Sequence, residues 1–232
     1  VATLIAANDF SVLTPSAAGN PMRLDVRRGA APVVNVTLTA AVFNLTPVQS
    51  GQVVQSPNGR LMGYVFVKDM ITQLTSPLAT TMTGFRNQGV QELVLDLRYN
   101  GGGLVSTGAR VASYASGSPH TGKVYTRLLY NDKQSGNNTT FTFSDPGAWS
   151  GFSRVYVLTG ERTCSASELI VNGLAPHATV VTLGGTTCGK PFGFNPIASC
   201  GNTFSIVNTL NHTISATTEP GAHPTRPDPA PH

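Results

Sequence analysis

The sequence predicts an α/β fold, because apolar strands alternate with amphipathic helices along its middle part. Residues 93–97 form an apolar run interrupted only by Asp96, which is typical of a strand covered on both faces. Residues 78–86 carry apolar side chains at 78, 82 and 85, a spacing that predicts a helix with one buried face. Because the alternation recurs up to residue 183, we expect a layered α/β core.

The first 46 residues predict strands and turns. Residues 24–27 and 34–38 alternate apolar and polar side chains, as half-buried antiparallel strands do, with a turn at 28–30. Residues 47–60 contain prolines, glycines and an Asn-Gly pair, and they predict a linker.

The rest of the chain supplies the α/β elements. We expect strands at 62–67, 93–97, 155–158 and 179–183, and helices at 78–86, 104–114 and 165–174. Residues 119–150 predict a projecting hairpin, and short strands are expected around 192–195, 203–207 and 213–216. The tail at 219–232 has five prolines in its last thirteen residues and is expected to be extended or disordered.

Composition narrows the choice of partners. The 232 residues suit one domain, or a large domain with a fragment of another. Only 11% of them are charged, and the net charge of +4 is spread out. Nucleic-acid-binding proteins concentrate Lys and Arg on one face, so we expect no nucleic acid partner. No run approaches the ~18 apolar residues that span a bilayer. The chain starts at Val1, so we expect a mature or excised piece, with membrane association only through an anchor that precedes it.

Ser165 and Lys190 are the candidate catalytic pair. A serine hydroxyl is a weak nucleophile until a base removes its proton, and a lysine can do so when burial lowers the pKa of its amine. Ser165 starts a predicted helix, and Lys190 follows the next strand. The amide of Ala166 would lack a helical partner and could stabilise an oxyanion, as could amides of the glycines at 101–103. The competing explanation is that Ser165 and Glu168 are only a helix-capping box.

The sequence also offers two alternative sites, a nucleotide-binding loop and a Ser–His catalytic pair. Residues 184–190 match the G-x-x-x-x-G-K of a nucleotide-binding loop, but Pro191 replaces the required Ser or Thr and disfavours a following helix. His177 offers a Ser–His alternative, although a Pro-His pair at a helix exit is more often a surface turn, and no G-x-S-x-G occurs.

The three cysteines allow one internal disulfide. Cys188 and Cys200 flank a loop and are the better pair, which would indicate an oxidising compartment, but two unpaired core cysteines fit as well. Cys164 is interpreted as a small apolar neighbour of Ser165 rather than a catalytic thiol.

Three blocks in the same order resemble a known family. The sequence DLRYNGGGL at 96–104 resembles the D-L-R-x-N-x-G-G-L signature of the carboxyl-terminal processing (tail-specific) proteases, the S41 serine–lysine peptidases. The sequence SASEL at 165–169 is similar to their nucleophile block, and TCGK at 187–190 to their lysine block. The resemblance covers about residues 60–215.

The resemblance implies a fold and a site. The fold would be a crotonase/ClpP-like core of ββα units at 61–218, preceded by a partial PDZ-like β segment at 1–46. Ser165 would be the nucleophile, Lys190 the general base, and the amides of Gly102 and Ala166 the oxyanion hole, with no metal or cofactor. The protein would be a serine endopeptidase that processes C-termini of polypeptides in a bacterial cell envelope, either periplasmic or lipoprotein-anchored.

Two departures from the family pattern motivate an alternative function. Many members place a glutamine four residues after the lysine, where this chain has Phe194, and half of the PDZ-like unit is absent. The only acid between residues 166 and 189 is Glu168, which is part of the capping box. The alternative is a catalytically silent peptide-binding or scaffolding protein of the same fold. A nucleotide-binding function ranks third.

Overall fold

A computed structural model describes residues 13–212, and the chain divides after Leu45 into two compact units. The predicted strand at 213–216 and the proline-rich tail lie outside the described residues. Within residues 13–212, no helix combines the length and the apolar character needed to cross a membrane.

The smaller unit contains a β-hairpin. Strands β1 (Pro21–Val26) and β2 (Val34–Thr39) pair antiparallel, with Leu24 opposite Val36. The two strands predicted at 24–27 and 34–38 are therefore confirmed.

In its described part, the larger unit contains three helices and eleven strands. The helices are α1 (Thr75–Asn87), α2 (Val105–Ser116) and α3 (Ala166–Leu174). The strands are β3 (Val48–Gln55), β4 (Leu61–Val67), β5 (Glu92–Asp96), β6 (Val124–Leu129), β7 (Thr139–Thr142), β8 (Arg154–Thr159), β9 (Val180–Gly184), β10 (Phe192–Gly193), β11 (Ile197–Ser199), β12 (Asn202–Phe204) and β13 (Thr209–His212).

The main sheet has the strand order β3-β4-β5-β8-β9. Strands β4, β5, β8 and β9 run parallel, and β3 pairs antiparallel with β4. The central strand β5 is almost entirely buried, as its apolar run predicts. Helix α1 buries Leu78, Met82 and Phe85, which confirms its predicted face. Because the carboxyl ends of parallel strands meet at one edge, the loops after β4, β5, β8 and β9 converge there.

The predicted linker at 47–60 is wrong for residues 48–55, which form strand β3. Seven residue pairs join β3 to β4, so this segment protects the outer edge of β4. The turn itself is confined to residues 56–59, where Gly59 donates a hydrogen bond to the Ser56 carbonyl at 2.9 Å. The sequence pattern identified that turn but not the strand before it.

A second, antiparallel sheet has the strand order β10-β13-β6-β7. The hairpin predicted at 119–150 exists as β6 and β7, but it does not project, because β13 covers the free edge of β6. Tyr125 and Phe143 are buried, with ring centroids 5.6 Å apart in an edge-to-face contact. Long-range pairing with β13 therefore places the hairpin in the body of the unit.

Candidate active site

A cavity of about 500 Å³ lies at the carboxyl ends of the parallel strands. Its walls come from the loops after β4, β5, β8 and β9, from α2, and from the second sheet. The residues that line it are Met70, Ile71, Gly101, Gly103, Leu104, Val105, Ser106, Leu128, Phe141, Ser165, Lys190, Gly193, Phe194, Asn195, Pro196, Thr209 and Asn211. The structure thus brings Ser165 and Lys190 to one cavity.

Ser165 has a strained backbone. It immediately precedes α3 with φ 58° and ψ −121°, and Ser165 and Cys200 are the two non-glycine residues with positive φ in the described chain. Such conformations cost of order 1–3 kcal/mol and cluster at functional sites. The strain is therefore a structural indication, separate from the sequence motif, that Ser165 has a special role.

Lys190 is half-buried, and its amine lies against an aromatic ring. The Nζ atom is 4.9 Å from the centroid of the Phe194 ring, which is a cation–π distance. Within residues 13–212, no hydrogen bond joins the Lys190 amine to the Ser165 hydroxyl. Catalytic hydrogen bonds often form only when substrate is bound, so the two residues can act together without this bond in the free protein.

Glu168 connects the two candidate residues through their backbones. Its buried carboxylate accepts hydrogen bonds from the amides of Ser165 at 2.7 Å and Lys190 at 3.0 Å. It also accepts from the Gly189 amide and the Thr187 hydroxyl, each at 2.7 Å. The sequence indicated only a helix cap here, and the further role of Glu168 comes from the loop that folds over it.

A disulfide joins the same two segments. Cys164 and Cys188 are bonded, with their Cα atoms 5.2 Å apart, and Cys200 is free and exposed. The predicted preference for a Cys188–Cys200 pair is therefore wrong, because β9 returns Cys188 to the turn before α3. In the described residues, Cys164, Glu168 and Cys188 are the one group whose ligand atoms could hold a metal ion. The two sulfurs are joined to each other and the carboxylate is saturated with donors, so we assign no metal to it.

Asn100 joins the glycine-rich loop to the turn that carries Ser165. Its side chain is fully buried, donates to the Val67 carbonyl at 3.0 Å, and accepts from the Ser167 hydroxyl at 2.8 Å. The same Oδ1 atom accepts a hydrogen bond from the Gly102 amide at 2.9 Å. The motif contains Asn100, but its contacts could not be inferred from the sequence.

The glycines of this loop differ in what their amides do. Gly102 has φ +100°, and a Cβ there would lie 2.9 Å from the Cβ of Ser165, so only glycine fits. Its amide, however, is engaged by Asn100. The amides of Gly103 and Ala166 donate no hydrogen bond to any residue of the range 13–212, and Gly103 lines the cavity. The geometry therefore favours Gly103 over the predicted Gly102 as a donor beside Ala166.

Asp96, the first residue of the DLRYNGGGL block, holds the end of β5. Its carboxylate accepts from the Tyr64 hydroxyl at 2.8 Å and from the Arg98 guanidinium at 2.7 Å. Burial alone would raise the pKa of the Asp96 carboxyl, but these hydrogen bonds outweigh it and leave the pKa below its usual value. The ion pair fixes the start of the loop that leads to Gly102.

His177 lies apart from the cavity. Its ring packs on Phe143 and His120, with centroid distances of 5.0 and 5.2 Å, and it does not line the cavity that contains Ser165. Within the described residues, the Ser–His alternative is therefore wrong. The nucleotide-binding alternative is also unsupported, because the short strand β10 rather than a helix follows Lys190.

Comparison with known proteins identifies similar sequences. A family model described as peptidase family S41 matches residues 61–220. The chain is 29% identical over 154 residues to a carboxyl-terminal-processing protease of Synechocystis, which covers 66% of this chain and 34% of that protein. It is also 29% identical over 158 residues to the chloroplastic carboxyl-terminal-processing peptidase 3 of Arabidopsis thaliana, covering 67% and 29% of the two chains. The chain thus spans about a third of the length of these relatives.

Solved structures show the same fold. A putative S41 protease from Bacteroides fragilis has a TM-score of 0.71 at 23% identity, covering 89% of this chain and 59% of that one. A photosystem II D1 C-terminal processing protease has a TM-score of 0.61 at 22% identity, covering 91% and 55%. At these identities the likeness establishes the architecture.

Proposed function

Because the chain belongs to peptidase family S41, we propose that it is a serine endopeptidase that hydrolyses polypeptides, with Ser165 as nucleophile and Lys190 as general base. One observation carries the proposal: residues from two separate sequence blocks line a single cavity, and one of them, Ser165, has a strained backbone. The family membership supports a peptidase, and the cavity supports the choice of residues.

The proposed reaction proceeds through a covalent acyl-enzyme. The uncharged amine of Lys190 takes the proton of the Ser165 hydroxyl as Oγ bonds to the substrate carbonyl carbon. The tetrahedral intermediate collapses when the scissile C–N bond breaks and the proton passes to the leaving amine. Water, deprotonated by the same lysine, then attacks the ester, and the lysine returns the proton to Ser165 Oγ as the second product leaves. Glu168 keeps both backbones in place throughout, because it accepts from the amides of Ser165 and Lys190.

Two backbone amides are proposed to stabilise the oxyanion. The Ala166 amide is the first N–H of helix α3, where the helix dipole favours negative charge. We assign the second donor to Gly103, since the Gly102 amide is already donated to Asn100. Because Gly102 has no side chain, it leaves room for the Ser165 side chain beside the loop.

The lining of the cavity supports a preference for apolar substrate side chains. Within the described residues that line it, Lys190 is the one ionisable side chain, and apolar groups predominate: Met70, Ile71, Leu104, Val105, Leu128, Phe141, Phe194 and Pro196. The substrate would lie extended beside edge strand β10, which contributes Gly193 to the wall.

The finer details of fold and location extend the same proposal. We assign the larger unit to a crotonase/ClpP-like core and the hairpin β1–β2 to part of a PDZ-like segment. A bacterial cell-envelope location is supported by the Cys164–Cys188 disulfide, because disulfides persist in oxidising compartments.

Labelling with a fluorophosphonate tests the proposal, since this reagent reacts with activated serines. We expect a single label on Ser165, identified by mass spectrometry, and its loss in Ser165→Ala. Lys190→Ala should slow labelling by about 10²- to 10⁴-fold, the usual contribution of a general base. Lys133→Ala, which removes an exposed lysine that does not line the cavity, is the matched control and should label normally.

The same variants separate the proposal from the scaffolding alternative. Peptide binding without any labelling of the folded wild-type chain would support a catalytically silent protein. Full labelling and hydrolysis by Lys190→Ala would remove Lys190 from its assigned role.

A further inference from the structure

Two buried oxygen atoms in the wall of the cavity have no hydrogen-bond partner. Thr209 and Asn211 are 4% and 2% exposed, and within residues 13–212 nothing pairs with Thr209 Oγ1 or Asn211 Oδ1. Buried polar atoms are nearly always hydrogen-bonded, so unpaired ones indicate a partner that arrives later. Both side chains line the cavity that contains Ser165 and Lys190.

The two oxygens converge because of their position on strand β13. Thr209 and Asn211 are two residues apart on this strand, so their side chains lie on the same side of the sheet. Thr209 pairs with Gly193 of β10. A Cβ at Gly193 would lie 2.6 Å from Thr209 Oγ1 and 3.8 Å from Asn211 Oδ1. The glycine thus leaves open the space that both oxygens border.

Lys190 is the donor best placed to reach them. The Asn211 amide donates to the Pro191 carbonyl at 2.9 Å, so the backbones of Asn211 and Lys190 are neighbours. The lysine amine lies on the Phe194 ring, and its Nζ atom donates no hydrogen bond to any of the described residues. The cavity therefore holds a donor without acceptors and two acceptors without donors.

We propose that Asn211, with Thr209, is a positioning residue for the Lys190 amine. The amine turns from the Phe194 ring, donates to Asn211 Oδ1 and Thr209 Oγ1, and so directs its lone pair toward Ser165. This inference rests on the proposed function in that Lys190 is the general base there. It adds the residues that aim the base, which neither the sequence motifs nor the family assignment identifies.

The experiment compares isosteric and conservative substitutions. Asn211→Leu and Thr209→Val remove the oxygens at nearly constant size, whereas Thr209→Ser retains its hydroxyl. Asn208→Leu is the matched control, because Asn208 Oδ1 is also buried and unpaired but faces a different cavity. Thermal unfolding is measured first, and the two isosteric variants provide independent tests if one of them does not fold.

Steady-state kinetics on a peptide substrate give the first readout. We expect Asn211→Leu to lower kcat by about 10-fold with KM within 2-fold, since a misaimed base affects the chemical step more than binding. Thr209→Val should lower kcat in the same way and Thr209→Ser should not, and Asn208→Leu should resemble the wild type. A raised KM at unchanged kcat would instead make Asn211 a substrate-binding residue and overturn the proposal.

NMR relaxation of the lysine ε-carbons gives a second readout that needs no peptidase activity. The chain has four lysines, so Lys190→Arg assigns the signal. We expect the Lys190 signal to become more mobile in Asn211→Leu and to stay unchanged in Asn208→Leu. If the wild type is not labelled by fluorophosphonate, the proposed function fails, yet increased Lys190 mobility would still support the contact. Unchanged mobility in both isosteric variants would overturn it.

Discussion

Among single residues, Glu168 determines most of the geometry of the candidate site. One carboxylate accepts four hydrogen bonds, from the amides at 165, 189 and 190 and from the Thr187 hydroxyl. Without it these hydrogen bonds to a buried carboxylate would be lost, and such loss costs about 1–3 kcal/mol per group. The same carboxylate accepts from the Ser165 amide, so this hydrogen-bond network holds the strained backbone of Ser165 in place.

Replacing Glu168 by Gln should loosen both loops. The amide keeps one acceptor oxygen and presents an NH₂ group to backbone N–H donors, so at least one pairing is lost. We expect a loss of about 2 kcal/mol or more in the free energy of unfolding, measured by urea denaturation. Fluorophosphonate labelling of Ser165 should slow by on the order of 10²-fold because the reacting groups are misplaced.

The control for this variant is Glu161→Gln. Glu161 is exposed in the turn before Ser165, so its change should stay within about 0.5 kcal/mol. Equal effects of the two substitutions would show that the buried network does not hold the site.

At the level of elements, the site is assembled from loops that follow four parallel strands. Each loop carries one part: residues 70–71 after β4, the glycines after β5, Ser165 after β8 and Lys190 after β9. The disulfide joins the third loop to the fourth across 24 residues. A disulfide mainly restricts the conformations of the unfolded chain. We therefore expect its main effect to be on the free energy of unfolding.

Removing the disulfide by Cys164→Ala and Cys188→Ala together should lower the free energy of unfolding by about 3 kcal/mol, as loop closure of this length predicts. A dithiol reductant should produce a similar loss in the wild type and none in the double variant. Cys200→Ala, which removes the free exposed cysteine, should unfold like the wild type. Stability that does not respond to the double substitution would argue against the pairing of Cys164 with Cys188.

In the larger unit as a whole, helix α3 packs on the second sheet as well as on helix α2. His177, just beyond α3, contacts Phe143, the residue after β7, and its Nε2 atom is buried without a partner in the described residues. Burial, with the charges of His120 and Lys123, holds the pKa of the His177 imidazole below its ordinary 6.5. This contact therefore couples global stability to pH.

The sign of that coupling follows from the lowered pKa. Below about pH 6.5 the unfolded histidine binds a proton more readily than the folded one, so stability is complete above that pH and falls as the pH drops through the folded pKa. Urea denaturation between pH 8 and pH 5 should show this decline, and His177→Phe, which keeps an aromatic contact, should flatten it. An unchanged slope in the variant would assign the pH dependence to other groups.

Local patterns predicted most elements and the chemistry-bearing residues. Each of these patterns can be read from a short stretch of sequence: the apolar run at 93–97, the apolar spacing at 78, 82 and 85, and the blocks around Ser165 and Lys190. Strand β3 escaped prediction because its glycine and polar residues carry weak local preference, and its pairing with β4 decides its structure.

The sequence by itself therefore determined the α/β class, the family and the candidate pair Ser165 and Lys190. Only the tertiary structure decided that Cys164 pairs with Cys188, that Asn100 engages the Gly102 amide, and that Asn211 faces the cavity. These contacts join residues from separate loops and strands, and no local propensity records which donor will meet which acceptor after the chain has folded.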